Sequence, residues 1–275
     1  MNKQKVKNMR KIDLHLHTRL STEDKSVKVK NLFSSAPEMI AHMNYLGIEK
    51  AVLMSGGESN DFFGTNDEMC KICQTYPTRF AWMCNLDEKD IDTIHTRLEK
   101  YKQNGAIGIG ELIINKKLDH PFLKVLFTAA EKLELPITIH MSPRENYNYG
   151  VVDEPGFPLL EQLLQNHPRL KILGHSKLFW NDIQGKIYEL FSKYPNLYGD
   201  LSANSGGNAI MKNLDFGLRF LETFSDRLFF ATDMLNNRTV YPLDAWLDEQ
   251  YVSGKISRDV YENIYYKNAE RIFHL

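Results

Sequence analysis

A chain of 275 residues, 43% hydrophobic and 25% charged, has the composition of an ordinary folded globular protein, and a net charge of −1 excludes a global field drawing in nucleic acid or an anionic membrane. No apolar run approaches the roughly 18 residues that span a bilayer. Three cysteines, an odd number, exclude a disulfide framework and fit a reducing, cytoplasmic location.

The first ten residues carry Lys3, Lys5, Lys7 and Arg10 without an acid, and read as a basic N-terminal extension. No apolar segment follows them, so a signal peptide is not expected. From residue 11 onward, short apolar runs alternate with amphipathic ones. Strands are expected at 11–17, 50–54, 80–85, 106–111, 137–140, 170–174, 197–201 and 228–232. Helices are expected at 37–46, 66–76, 90–103, 121–133, 157–166, 183–194 and 209–224, with two more at 242–250 and 258–273 after the last strand. Ser35, Pro37 and Pro121 are start signals, and Gly47, Gly105 and His167-Pro168 are stops.

The strand ends recur every 26 to 37 residues, the length of a βαβ crossover. Eight such units in about 250 residues predict an α/β fold, a single (β/α)8 TIM barrel with C-terminal helices, spanning residues 1–275 as one domain. A doubly wound open sheet has the same repeat and is the alternative.

In the first strand, Ile12, Leu14 and Leu16 alternate with Asp13, His15 and His17, which places both imidazoles on one face at the strand's C-terminal end. Polar residues recur at that position: Glu111 ends the fourth strand, His140 the fifth, His175 the sixth and Asp233 follows the eighth. Barrel enzymes keep their active sites at this mouth. Imidazole and carboxylate without thiolate suit a divalent cation, Zn²⁺ first, with Mn²⁺ or Fe²⁺ as alternatives, as one or two ions. Such an ion lowers the pKa of bound water to about 7. Asp233 can take and return its proton, and His175 can polarise a substrate carbonyl. Arg19, Arg144, Lys177 and Arg238, in the loops after the strands, are candidate anchors for a carboxylate, and Tyr147 and Tyr149 for a planar ligand. Cys70-Lys-Ile-Cys73 lies in an expected helix without a second pair and reads as packing. Gly108-Ile-Gly110 lacks a third glycine, so no nucleotide cofactor is expected.

Ile12-Asp-Leu-His-Leu-His17, Leu135-Pro-Ile-Thr-Ile-His140, Leu173-Gly-His175, Tyr198-Gly-Asp-Leu-Ser202, Phe230-Ala-Thr-Asp233 and Asn268-Ala-Glu-Arg-Ile-Phe273 run in order along nearly the whole chain. Together they resemble the amidohydrolase superfamily, and most closely its amidohydrolase-2 type, the branch related to aminocarboxymuconate-semialdehyde decarboxylase. The resemblance implies that His15, His17, His140 and Asp233 are metal ligands. It makes His175 a second ligand or a catalytic histidine. Glu111 stands where other members carry a carboxylated lysine, and its Ile107-Gly-Ile-Gly-Glu111 setting is similar to TatD-like deoxyribonucleases.

The reading that follows is a metal-dependent hydrolase of a small, carboxylated molecule, cutting an amide, ester or lactone bond with activated water. A metal-dependent decarboxylase or hydratase of an unsaturated acid is the first alternative. A TatD-like deoxyribonuclease is the second, disfavoured by the absence of a basic surplus. The expected partner is a small-molecule substrate, with no nucleic acid and no membrane, and a homo-oligomer left open.

Overall fold

A computed structural model describes residues 9–147, 149–202 and 204–275. Most of the basic extension, residues 1–8, lies outside the described residues. Arg10 is docked rather than loose: its guanidinium donates to Glu49 and Glu270, at 2.7 and 2.5 Å.

Nine strands follow one another: β1 (Ile12–Leu16), β2 (Lys50–Met54), β3 (Phe80–Cys84), β4 (Ala106–Leu112), β5 (Ile137–Ser142), the two-residue β6 (Val151–Val152), β7 (Ile172–His175), β8 (Leu197–Asp200) and β9 (Leu228–Phe229). The sheet order is β1-β2-β3-β4-β5-β7-β8-β9, with β6 added to β5. Leaving β6 aside, eight strands alternate with helices in the (β/α)8 class, and C-terminal helices follow β9. The expected eight strands are these eight, displaced at their ends by a few residues. The five residues of β1 are all buried, and β2 after Lys50 likewise, as strands covered on both faces must be.

The chain divides into two compact units, residues 1–53, 71–81 and 200–275, and residues 54–70 and 82–199. In the first, β1 pairs with β2 in parallel, Asp13 opposite Ala51. Leu14 N–H also donates to Phe230 O at 3.0 Å, and Leu201 N–H to Phe229 O at 3.1 Å. The last strand is shorter than its apolar run. Beyond Phe229, the Phe230 N–H goes to Ile264 O of the C-terminal helices and the Thr232 N–H to the Asp13 carboxylate, so other acceptors replace the ladder.

Two expected helices of this unit are broken. Residues 209–224 form two, Ser205–Met211 and Leu214–Phe224, because Asn213 caps the second by accepting from Phe216 N–H. Residues 258–273 hold a π-helical turn, Asn263–Lys267, between α-helical ends. The helix Ala36–Leu46 starts where expected, with Ser35 N–H donating to Glu38 Oε2 at 2.8 Å, and stops at Gly47 in the left-handed region.

In the second unit, residues 82–84 of β3, β4, β5, β7 and residues 197–199 of β8 pair in parallel. Glycine sits where another group must come close. A Cβ on Gly174 would lie 2.1 Å from the Phe179 ring, and one on Gly199 would lie 2.7 Å from Trp180. The short helix Lys177–Asn181, not anticipated from the sequence, lays both rings on the strands in those spaces. Among the described residues, no helix is long and apolar enough to cross a membrane.

Gly217, inside the helix Leu214–Phe224, tests this close packing. A Cβ there would stand 2.1 Å from Ile210 O. Glycine to alanine inside a helix ordinarily stabilises by about 1 kcal/mol. Here Gly217→Ala is expected to destabilise by about 1–3 kcal/mol, the usual cost of overpacking, read as a lower midpoint in denaturant unfolding.

Candidate metal centre

Among the described residues, each unit carries a cluster of imidazoles and carboxylate at the C-terminal ends of its strands. In the first unit, His15 stands on β1 and His17 just past its end. Their Nε2 atoms are 3.3 Å apart, the common face that alternation requires. Asp233 Oδ1 lies 3.5 Å from His15 Nε2 and 3.3 Å from His17 Nε2. Four ligands at about 2.1 Å around a tetrahedral ion are about 3.4 Å from one another, so three donor atoms at these spacings fit a divalent metal.

Neighbouring groups set the orientation of these donors. His15 Nδ1 is 2.8 Å from Asp200 Oδ2, which directs Nε2 at the other two donors. Asp200 is fully buried, and its other oxygen accepts from the Ser202 hydroxyl at 2.6 Å. Asp13 accepts from His15 N–H at 3.1 Å, Thr232 N–H at 3.0 Å and the Thr232 hydroxyl at 2.5 Å. Burial pushes the Asp13 carboxyl up to about 7, against the downward pull of those donors. Asp233 N–H donates to His15 O at 2.7 Å and His17 N–H to Met234 O at 2.9 Å. Asp233 itself has φ +54°, the left-handed region that a non-glycine residue adopts at a cost, here held by hydrogen bonds on both sides. Tyr241 is buried in the same unit, and desolvation, with Asp200, Asp13 and Asp233 adding to it, raises its pKa well above the ordinary value, so its hydroxyl stays neutral.

In the second unit, Glu111 on β4, His140 on β5 and His175 on β7 converge. His140 Nδ1 is in hydrogen-bond contact with Glu111 Oε1, which also lies 3.3 Å from His175 Nε2. Glu111 and His175 are buried, whereas the His140 side chain is 20% exposed, so His140 is the member that opens to solvent. The strand is built for this: a Cβ on Gly108 would meet Pro136 O at 2.8 Å, and one on Gly110 would meet Thr138 at 3.1 Å. Glu111 is further held through its backbone. Asn85 Nδ2 donates to Glu111 O at 2.6 Å, Asn85 N–H to Asn66 Oδ1 at 3.0 Å, and the Ser55 hydroxyl to Asn66 Oδ1 at 2.7 Å. This cluster too could hold a cation.

The structure thus brings together His15, His17 and Asp233 in one unit, and Glu111, His140 and His175 in the other. Asp200, within Tyr198-Gly-Asp-Leu-Ser202, is not among the donors expected from the sequence, although its place at a strand end is the signal that marks it. Ser55 and Asn66, just past a strand and at the start of the helix Asn66–Thr75, gave no signal, whereas Asn85 closes the expected strand 80–85, a strand-end position like that of the candidate donors. The expected anchors fare differently. Arg19 is fully buried rather than set on an open loop, and its N–H donates to Ser34 O. Arg238 donates from Nη2 to Asn31 O at 2.6 Å and from Nε to Asn236 Oδ1 at 3.4 Å, so part of its fork is already engaged. Arg144, Lys177 and Tyr147 are exposed.

A family model described as Amidohydrolase matches residues 12–275. No curated protein matches the chain. Among solved structures, it is similar to a TIM-barrel protein from Bordetella bronchiseptica, with 19% identity, a TM-score of 0.65, and coverage of 97% of this chain and 99% of that one. It is also similar to 2,6-dihydroxybenzoate decarboxylase from Rhizobium, at 17% identity and TM-score 0.65, covering 97% and 99%. A third is 5-carboxyvanillate decarboxylase from Novosphingobium aromaticivorans, complexed with manganese and a nitrobenzoic acid, at 16% identity and TM-score 0.66, covering 98% and 97%.

Asp200→Asn leaves the shape of the cluster and removes a charged acceptor from His15 Nδ1. The expected result is Mn²⁺ binding about 10–100-fold weaker, read by titration of the metal-free protein. His15→Ala and His17→Ala are expected to weaken it further than Asp200→Asn, and unchanged metal content in either would refute the assignment.

Proposed function

Because this chain belongs to the amidohydrolase family, of the amidohydrolase-2 type, we propose that it is a metal-dependent decarboxylase of a small carboxylic acid. The observation that carries the reading is the His15, His17 and Asp233 donor set, spaced for a divalent cation and oriented by Asp200. The similar structures from Rhizobium and Novosphingobium aromaticivorans are both decarboxylases, which puts decarboxylation ahead of the hydrolysis first expected.

In this reading His15, His17 and Asp233 hold the ion, and Mn²⁺ stands beside Zn²⁺ as its identity, since imidazole with carboxylate suits both. When bound, the cation supplies Lewis acidity that orients and neutralises an anionic substrate. The protein's part is proton delivery. The bond from the substrate carbon to its carboxylate breaks, CO₂ leaves, and the electron pair left on carbon takes a proton from the Asp233 carboxyl group. Water then restores that proton. Asp233 suits the role because its side chain is 22% exposed beside two buried imidazoles, within reach of both substrate and solvent.

The test is CO₂ release by the Mn²⁺- or Zn²⁺-loaded protein from a panel of benzoic and unsaturated aliphatic acids, with amides, esters and lactones assayed in parallel. Release of CO₂ from at least one acid is expected, lost by about 10²-fold or more in Asp233→Asn because the amide neither holds the cation as a carboxylate does nor delivers the proton. Turnover confined to the amides, esters or lactones would return the chain to the hydrolases.

A further inference from the structure

We propose that the π-helical turn Asn263–Lys267 is a positioning element for the candidate metal centre of the first unit, setting Asp233 against His15 and His17. The inference rests on the assignment of those three residues as metal ligands, and not on the reaction. An α-helix gives each carbonyl the N–H four residues on, so an inserted residue widens one turn and leaves a carbonyl over. Here Asn268 N–H reaches back five residues to Asn263 O, which leaves the Ile264 carbonyl without that helical partner. Ile264 O accepts instead from Phe230 N–H at 2.8 Å. Phe230 lies three residues before Asp233, just past the end of the last strand. The extra residue in the helix thus supplies an acceptor where the strand ladder stops.

The turn grips both arms of that centre. On the side of the last strand, Phe230 O accepts from Leu14 N–H at 3.0 Å, so the bond from Ile264 passes on to β1 beside His15. One turn further along the helix, Asn268 is buried. Its Nδ2 donates to Ser225 O at 2.6 Å and to Leu228 O at 2.8 Å, fixing the start of the same strand. On the side of β1, Tyr265 of the turn sets its ring against Phe230, centroids 4.9 Å apart, and its hydroxyl donates to Asp244 Oδ1 at 2.7 Å. Lys11, just before β1, reaches the same Asp244 oxygen at 2.6 Å, with its ammonium 5.0 Å from the centre of the Tyr265 ring. Bonds buried like these tolerate little displacement, because a broken one leaves a polar group without a partner. A metal donor set must be held to within about 0.5 Å, and a strand end secured on one side only is not held so closely.

Deleting Tyr266 closes the wide turn to an ordinary α-helical one and returns the Ile264 carbonyl to a helical partner, while Ile264, Tyr265 and Asn268 keep their faces. Tyr266→Ala removes the same side chain, with its contact to Arg10, and keeps the extra residue. Mn²⁺ titration of the metal-free, folded proteins, with denaturant midpoints measured in parallel, separates positioning from stability. The deletion is expected to weaken Mn²⁺ binding about 10–100-fold, as losing the support of a ligand does, and Tyr266→Ala to stay within about twofold of wild type. A lower midpoint with unchanged Mn²⁺ affinity in the deletion would overturn the inference, as would equal weakening in Tyr266→Ala. A second measurement needs no variant. Coupling is reciprocal, so a cation on Asp233 holds the turn in its place. Backbone hydrogen exchange of wild type in residues 228–233 and 263–268 is expected to slow on Mn²⁺ loading about threefold or more beyond any change in the helix Leu214–Phe224. Equal slowing in all three segments, or none, would overturn the inference whether or not the deletion variant folds. Failure of the decarboxylase reading leaves both measurements untouched, since neither involves turnover. A wild type that takes up no Mn²⁺ would remove the metal assignment and this inference with it.

Discussion

The Asp13 carboxylate is the constraint on which the arrangement of His15, His17 and Asp233 depends. It is fully buried and accepts from the N–H groups of His15 and Thr232 and from the Thr232 hydroxyl. Those bonds tie β1, which carries His15 and His17, to the segment that carries Asp233. Each donor left unsatisfied in such a place would cost about 1–3 kcal/mol, so the arrangement is strongly determined. With it in place, Asp233 accepts its left-handed backbone and Asp200 needs only to set the His15 tautomer.

Two of the candidate donors, Glu111 and His175, and the Asp200 that orients His15 share a second local device. Gly110 precedes Glu111, Gly174 precedes His175 and Gly199 precedes Asp200. At each glycine a neighbouring group fills the place of the missing side chain: Thr138 and two methionine sulfurs at the first, the rings of Phe179 and Trp180 at the other two. A strand pinned at that point by close contact gives the next side chain little room to wander. Chemistry and packing are thus written in adjacent residues, and the glycine belongs to the site although it touches no ligand.

The eight strands and the residues at their ends were legible in the sequence because strand period and crossover length are local properties. Boundaries and helix interruptions were less so. The expected helix at 209–224 breaks because the Asn213 side chain outcompetes the backbone for Phe216 N–H, and apolar periodicity runs straight across that capping site. The last strand ends early because Phe230 N–H finds Ile264 O, a partner 34 positions away in sequence. Arg19 and Arg238 both follow strand ends, as carboxylate anchors would. Yet one is fully buried and the other already donates to Asn31 O, facts that depend on where distant chain returns.

What the sequence determined by itself is the repeating βα framework, the pairing of His15 with His17 on one face, and the residue types that favour a divalent cation. These follow from period, spacing and ligand chemistry, each readable within a few residues. Only the tertiary structure decided that Asp200 orients His15, that Asn66 and Asn85 support Glu111, and that Tyr149 rests on His140 beside Phe63. Such contacts join residues 9 to 185 positions apart, and no local pattern can specify them, because their energy appears only when the folded chain brings both partners out of water together.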